Sequence, residues 1–503
     1  MKLTDSNAGE VGTSDVTAIA SATATFRQFM CYAALTISQT ITGAIGIIKN
    51  GAAQLTLTGN NTYTGTTTVS TGTLSMTGVS GYKTTDLSVA SGATLGITMT
   101  GNATSLGANT AGTWTSFNSV NASITGGGVV ALNGTNFISA GGSGGTMKTN
   151  LSAGAVLDVQ SGSWAWGYGR ASTATNLGSL NVASGAEYRS SDLAIQFDAL
   201  TGSGTLANAY NGIITITLGV SNTTNNAAYG VSGNTATFSG VIKGPDSYTG
   251  VTTGTLNLVK TGSGTQILSG NNTYSGSTNL GFSNSSNAGT LRLSGSGKIS
   301  TAATNIFNGT LDLNGINQSI TTLALGGGSS GTTAAVTTGS GTLTLGGNVT
   351  FSATNNANGA SISGNLNLGA TTRTFTIGNS TAATSDLTIS AVISGSGGLT
   401  KSGTGTLTLS GNNTYTGATS ISAGTLRASK TNGSSTATAT FTTSALSVSF
   451  NVSPPSGATT NFRFFQGTTT QSYAPGVISL SGVPVGTTAT YTSATSTLSV
   501  TVP

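Results

Sequence analysis

The sequence predicts an all-β chain: a parallel β-helix, or solenoid, with a β-sandwich-like cap module at its C-terminal end. Three observations predict it. Segments of four or five residues alternate apolar and polar positions and end in Gly, Asn or Ser turns. Some of these segments recur almost unchanged along the chain. Only 16 Lys+Arg and 11 Asp+Glu stand among 503 residues, too few for the solvated faces of long helices.

The composition also excludes chemistry. There is no His and a single Cys. That rules out a Ser-His-Asp triad, a His-ligated metal, a cysteine zinc site and an internal disulfide. No cofactor and no metal is expected. The net charge of +5 comes from scattered cations such as Lys83, Lys148, Arg170, Arg292 and Arg373. No run of them could neutralise neighbouring phosphates, so no nucleic-acid partner is expected. Disorder is disfavoured because 36% of residues are hydrophobic while charge is low. Thr and Val further favour pleated strands, where a branched Cβ packs well.

Residues 1–34 are read as an N-terminal extended cap or exchange segment. VTAIASATATF at 16–26 is polar and alternating. An apolar export signal is not visible, because Asp5 and Glu10 stand where its core would begin. Gln28–Ile48 is uncharged for 21 residues, long enough to cross a bilayer. Its centre holds Thr36, Ser38, Gln39, Thr40 and Thr42, and Leu35, Ile37 and Ile41 alternate. That reads as a strand, and no transmembrane segment is expected.

Residues 35–430 carry the repeats. KNGAAQLTLTGNNTYTG at 49–65 returns as KTGSGTQILSGNNTYSG at 260–276 and KSGTGTLTLSGNNTYTG at 401–417. Each copy runs into a strand closed by Gly-Thr-Leu, at Gly72–Leu74, Gly289–Leu291 and Gly424–Leu426. Shorter echoes, LSVASGATLGI at 87–97 and GTLDLNG at 309–315 among them, fill the intervals. Such units cannot bury an apolar face alone, but coil stacked on coil makes one continuous core. Two-residue Asn-Gly hairpin loops are rare, Asn211-Gly212 being the main candidate. A solenoid is therefore preferred to a stack of hairpins.

Residues 431–503 differ. They carry four of the six prolines and the cluster Phe450, Phe462, Phe464 and Phe465. This reads as a C-terminal β cap or assembly module, covering strand edges that a last coil would otherwise expose.

The arrangement Leu-Thr-Lys-x-Gly-x-Gly-x-Leu-x-Leu-Ser-Gly-x-Asn-Thr-Tyr-x-Gly, best met at Leu399–Gly417, resembles the autotransporter-associated β-strand repeat of secreted and surface-displayed bacterial proteins. The resemblance implies a right-handed β-helix without catalysis, outside the cell or on its surface. The chain departs from that family in lacking a C-terminal barrel, which suggests a passenger without its translocator or a free secreted protein.

Within the repeat, Asn60, Asn61 and Gly65, Asn271, Asn272 and Gly276, and Asn412, Asn413 and Gly417 are placed at a coil corner. Asn and Gly tolerate left-handed backbone there, and an Asn amide can bond neighbouring backbone. Tyr63, Tyr274 and Tyr415 are expected to pack over that turn. Lys49, Lys260 and Lys401 recur at one position and are read as solvated lysines before a Gly turn. Asn-Asn-Thr is also an N-glycosylation pattern, read as incidental to the turn.

One region could hold chemistry. Trp164, Trp166, Tyr168 and Arg170 lie about one coil before Glu187, Asp192 and Asp198. Aromatic rings for stacking and carboxylates for acid–base work are what a glycan-binding or glycan-cleaving β-helix needs. The plainer reading is an aromatic cluster packing a wider coil. The function expected is that of a non-enzymatic extracellular structural protein, a rod or filament subunit assembling head-to-tail with copies of itself. The alternative is an adhesin or a glycan-directed β-helix, with surface glycans as partners, acting at Trp164–Asp198.

Overall fold

The computed structural model describes residues 2–5, 9–11, 26–59, 61–78, 86–99, 123–134, 136–139, 148–167, 176–191, 194–209, 211–219, 227–229, 231–232, 234–245, 253–355, 357–417, 419–430, 438–441, 446–452, 462–466, 469–473, 488–492 and 497–502. These residues are almost entirely strand and turn, and their one 3-10 turn is Ala227–Tyr229. The segment 16–25 lies outside them. The chain divides into two compact units, Met1–Gly276 and Ser277–Pro503.

In the first unit the chain steps from sheet to sheet and each strand pairs in parallel with its counterpart from the coil before. One sheet runs Phe26–Met30, Gly46–Asn50, Thr67–Val69, Leu87–Val89, Ser123–Gly126, Lys148–Leu151. A second begins Leu35–Ile37, Leu55–Leu57, Thr73–Gly78, Thr94–Met99 and continues to Leu200–Gly202. A third runs Asn136–Ser139, Ser163–Gly167, Glu187–Ser191, Thr205–Asn208, Val241–Pro245. The uncharged stretch 28–48 contributes strands Leu35–Ile37 and Gly46–Asn50, and no described helix is long and apolar enough to cross a membrane.

Asn211-Gly212 is not a hairpin loop. The strands beside it, Thr205–Asn208 and Ile213–Leu218, pair with different partners, Val241–Pro245 and Thr255–Lys260. A tight antiparallel hairpin of this unit is instead Val231–Ser232 with Thr235–Phe238, with Asn234 at φ 60° in its turn.

The second unit repeats the plan. Thr304–Ile306, Leu323–Gly326, Val349–Ser352, Arg373–Ile377, Leu399–Ser402 and Thr419–Ile421 stack in parallel. So do Thr290–Leu293, Gly309–Asp312, Ala334–Leu345, Ala360–Asn367, Leu387–Ile389, Thr406–Leu409, Gly424–Lys430 and Leu446–Val452. Ala334–Leu345 rounds a corner without breaking. Its two halves pair with Gly309–Asp312 and with Gln318–Ile320, and left-handed Gly339 lies between them.

Period-2 alternation sends every second side chain inward. Leu55, Leu74, Leu95, Val130, Leu157, Leu180 and Leu200 form one inward row through seven coils, all without exposed surface. Leu311, Val336, Ile362 and Ile389 form another in the second unit. Each such side chain contributes about 2 kcal/mol of hydrophobic stabilisation.

Both chain ends switch to antiparallel pairing. Lys2–Asp5 lies antiparallel between Phe26–Met30 and Gly9–Val11. Leu446–Val452 is covered by Thr497–Val502, itself paired with Thr488–Thr492. Phe462–Gln466 closes on Thr469–Tyr473.

Candidate functional site: the repeat corner and the Trp164–Asp198 region

The second asparagine of each repeat clamps one coil to the coil before. Asn61 Oδ1 accepts the backbone N–H of Ile41 at 2.8 Å, Asn272 Oδ1 that of Ile242 at 2.8 Å, and Asn413 Oδ1 that of Ile393 at 3.0 Å. The carbonyls of the same residues, Ile41, Ile242 and Ile393, accept N–H bonds from Thr62, Thr273 and Thr414. Asn and the following Thr thus bracket one peptide of the neighbouring coil. The described repeat asparagines and Gly65, Gly276 and Gly417 do not adopt the left-handed backbone expected of them. The glycines serve close approach instead. A Cβ on Gly65 would sit 2.4 Å from Ile45 backbone, and one on Gly417 2.3 Å from Gly398 N.

Tyr63 and Tyr274 are buried, and Tyr415 is largely so. Tyr63 Oη lies 2.6 Å from Thr67 Oγ1, and Tyr415 Oη 2.5 Å from Thr419 Oγ1. Burial raises both phenol pKa values, with the Thr hydroxyl partly offsetting the rise. The rings are thus packed into the coil rather than displayed on its surface.

The lysines correct the sequence reading. Lys49, Lys260 and Lys401 are not solvated: they are 0, 1 and 0% exposed. Lys49 takes a core position between Phe29 and Val69, and Lys401 one between Phe375 and Ile421. Lys49 Nζ donates to the carbonyls of Asn50 (3.2 Å), Gly51 (2.7 Å) and Thr71 (3.0 Å). Lys401 Nζ repeats this with Ser402 (3.0 Å), Gly403 (2.7 Å) and Ala423 (2.9 Å). Lys260 Nζ donates to Thr261 and Gly262. The ammonium ion has three donors, and in two copies one of them crosses to the next coil. Ile47-x-Lys49, Leu258-x-Lys260 and Leu399-x-Lys401 already place each Lys two positions from a buried apolar residue. The alternation rule applied to Lys would have found it.

Burial pulls Lys260 and Lys401 down to about 8, against the pull of Asp198 and Asp386 respectively. Burial likewise lowers Lys49, opposed by Cys31. Between pH 8 and the unfolded lysine value of about 10.4 the unfolded chain binds more protons, so stability rises with pH. Above about pH 10 unfolded tyrosines ionise while Tyr63 and Tyr415 keep their protons, so stability falls. The melting temperature should rise from pH 8, peak near pH 10 and then drop, and Lys401→Met should flatten the rise.

Replacing Asn272 by Ala orphans the Ile242 N–H and should cost about 1–3 kcal/mol. Asn271→Ala, one residue earlier and exposed, should be near neutral. Thermal melts of the two variants check this.

The Trp164 region is built differently. Trp164 sits in an inward row with Tyr188, Leu206 and Ile242, all without exposed surface. Tyr188 packs edge-on against Phe197, centroids 5.7 Å apart. Trp166 lies in strand Ser163–Gly167, in register between Ile138 and Ser190. Glu187 pairs with buried Arg189 and, at 3.0 Å, with Lys243. Asp198 is buried beside Lys260 and Gln266 at a cavity of about 30 Å³, room for about one water. Tyr168, Arg170 and Asp192 lie outside the described residues. The described members therefore do not gather on one open face: Trp164 and Asp198 belong to the interior, and Glu187 is held by two cations.

A polar network missed in the sequence lies elsewhere. Buried Asp158 accepts from Gln160 (2.9 Å), Asn181 (2.7 Å) and Tyr229 (3.2 Å). It latches the turn Ala227–Tyr229 to strand Val156–Val159. Burial of Tyr229, together with the negative charge of Asp158 and the hydrogen bond to it, raises the Tyr229 pKa.

The model of the passenger-associated-transport-repeat family matches residues 47–76, 258–281 and 399–428. Each match holds a caged lysine, both asparagines, the Tyr and the glycine of the corner. No curated protein and no solved structure matches the chain. Such repeats suggest a secreted or surface-located passenger. On these three matches, the chain carries three passenger-associated transport repeats, in agreement with the autotransporter-associated β-strand repeat that its sequence resembles.

Proposed function

We propose that the chain is a non-enzymatic structural passenger, a rod or filament subunit that assembles head-to-tail with its own copies on or outside the cell. One observation carries the reading. The recurring Lys, second Asn and Tyr of the repeat turn into the coil, and the Asn in each copy and the Lys in two of them bond across to a neighbouring coil, so the repeated chemistry maintains a scaffold. The chain ends support the assembly step. Gly9–Val11, Thr469–Tyr473 and Thr488–Thr492 each pair on one side among the described residues, and an edge strand is a template for another chain. A contact between opposite ends does not close on itself and propagates.

Electron microscopy and sedimentation of the full chain, beside a chain lacking residues 1–26, test this. Filaments that disappear on truncation are expected. A monomer of unchanged mass in both forms overturns the assembly step. Release of oligosaccharides from a polysaccharide panel, abolished by Asp192→Asn, would overturn the non-enzymatic reading.

A further inference from the structure

The coil explains the second asparagine of Asn-Asn-Thr but not the first, nor the threonine. Asn271 and Asn412 are exposed, as are Thr273 and Thr414. Among the described residues no hydrogen bond engages any of these four side chains, although the backbone of the corner is fixed: Asn272 N–H bonds Gly270 O, and Thr273 N–H bonds Ile242 O at 2.9 Å. The same holds at Asn413 and Thr414, whose N–H groups bond Gly411 O and Ile393 O. The corner thus presents an Asn and a Thr two residues apart, both directed to solvent, while the residue between them is buried or partly so. Asn-x-Thr with a free amide is the acceptor pattern for an N-linked sugar.

We propose that Asn271 and Asn412 are glycosylation sites, each carrying one sugar on its side-chain nitrogen. The donor is a sugar whose anomeric carbon bears a phosphate-linked leaving group. Asn Nδ2 forms a bond to that carbon, the carbon–oxygen bond to phosphate breaks, the phosphate leaves with the electron pair, and the amide gives up one proton. A separate transferase supplies the catalysis.

The geometry also sets the order of events. In the closed coil Thr273 N–H and Thr414 N–H are engaged by the preceding coil. They cannot turn back to the acceptor asparagine as a local Asx turn would. Transfer therefore precedes coil closure, on the extended chain. Because both amides end in solvent, the modified chain still closes. Asn308-Gly309-Thr310 provides a contrast with the same pattern. Asn308 is buried, and its Nδ2 donates to Ser285 O at 2.8 Å and to Ser285 Oγ at 2.6 Å, so a sugar there would prevent closure.

Mass spectrometry of the protein isolated from the cells that make it tests the proposal. In the folded protein a sugar-sized increment is expected on the peptides holding Asn271 and Asn412 and not on Asn308, because a chain modified there could not close its coil. It should vanish site by site in Asn271→Gln, Asn412→Gln, Thr273→Ala and Thr414→Ala. Peptide masses do not require the variants to fold. Incubating the urea-unfolded chain with the cytosolic or the membrane fraction of those cells, each with radiolabelled sugar, separates a soluble nucleotide-linked donor from a lipid-linked one. Labelling by either fraction supports acceptor function. Unmodified peptides from the cells, with no labelling by either fraction, overturn it.

Discussion

Gly411→Ala should destabilise the second unit by more than about 3 kcal/mol, beyond the usual cost of overpacking. Its Cβ would lie 2.0 Å from Ala391 O and 2.7 Å from Ala391 C. Those are backbone atoms and cannot swing aside. The coils cannot part locally either, because Asn413 and Thr414 hold Ile393 on both sides of the same corner. Gly270 and Gly59 meet the same obstacle, at 1.8 Å from Gly240 O and 2.2 Å from Gln39 O. Gly154→Ala is the control. Its φ is +86° with nothing within 4 Å, so only the left-handed penalty of about 1 kcal/mol applies. Hydrogen exchange at residues 387–417 reads the effect coil by coil, which suits a stack that need not unfold in one step. Equal protection in the two variants would show that the coils are not in this contact.

Leu407→Asp should cost several kcal/mol, because it moves a carboxyl group into the apolar interior. Leu407 is without exposed surface and lies in register between Leu387 and Leu426. The group would stay protonated there, so the loss grows as pH rises through the carboxylate range. The neighbouring outward residue is not the right comparison. Thr408 is largely covered and its hydroxyl accepts from Ser385 Oγ at 2.7 Å. Thr350 is exposed in strand Val349–Ser352, and Thr350→Asp should stay within about 0.5 kcal/mol. Chemical denaturation of both variants measures the difference, and similar losses would show that the register is wrong.

The coil was legible because the alternation is strict at positions such as Leu55-x-Leu57 and Leu291-x-Leu293, and because a repeat of such units has one economical packing. The clamp by Asn61, Asn272 and Asn413 was half legible. Asn at a corner suggested backbone bonding, but the partner, a peptide some 20 or 30 residues upstream, depends on which coil lies beneath. The caged lysines were misread because residue type was weighed above position. A cation is usually solvated, yet three carbonyls turned inward at one corner offer it the hydrogen bonds that water would have made. Trp164 and Asp198 suggested a site because aromatics and carboxylates are scarce in this chain. Facing inward is a matter of register, and the irregular lengths of the intervals between strands do not reveal that register from sequence.

Amine-reactive labelling of the native protein, read lysine by lysine, tests the central claim most directly: the repeat's polar residues are interior clamps between stacked coils. Lys298 is exposed and should label at once. Lys49, Lys260 and Lys401 should stay unlabelled until the coils are unfolded, because their amines are enclosed. Labelling of the three at the rate of Lys298 would place them on the surface and contradict the account.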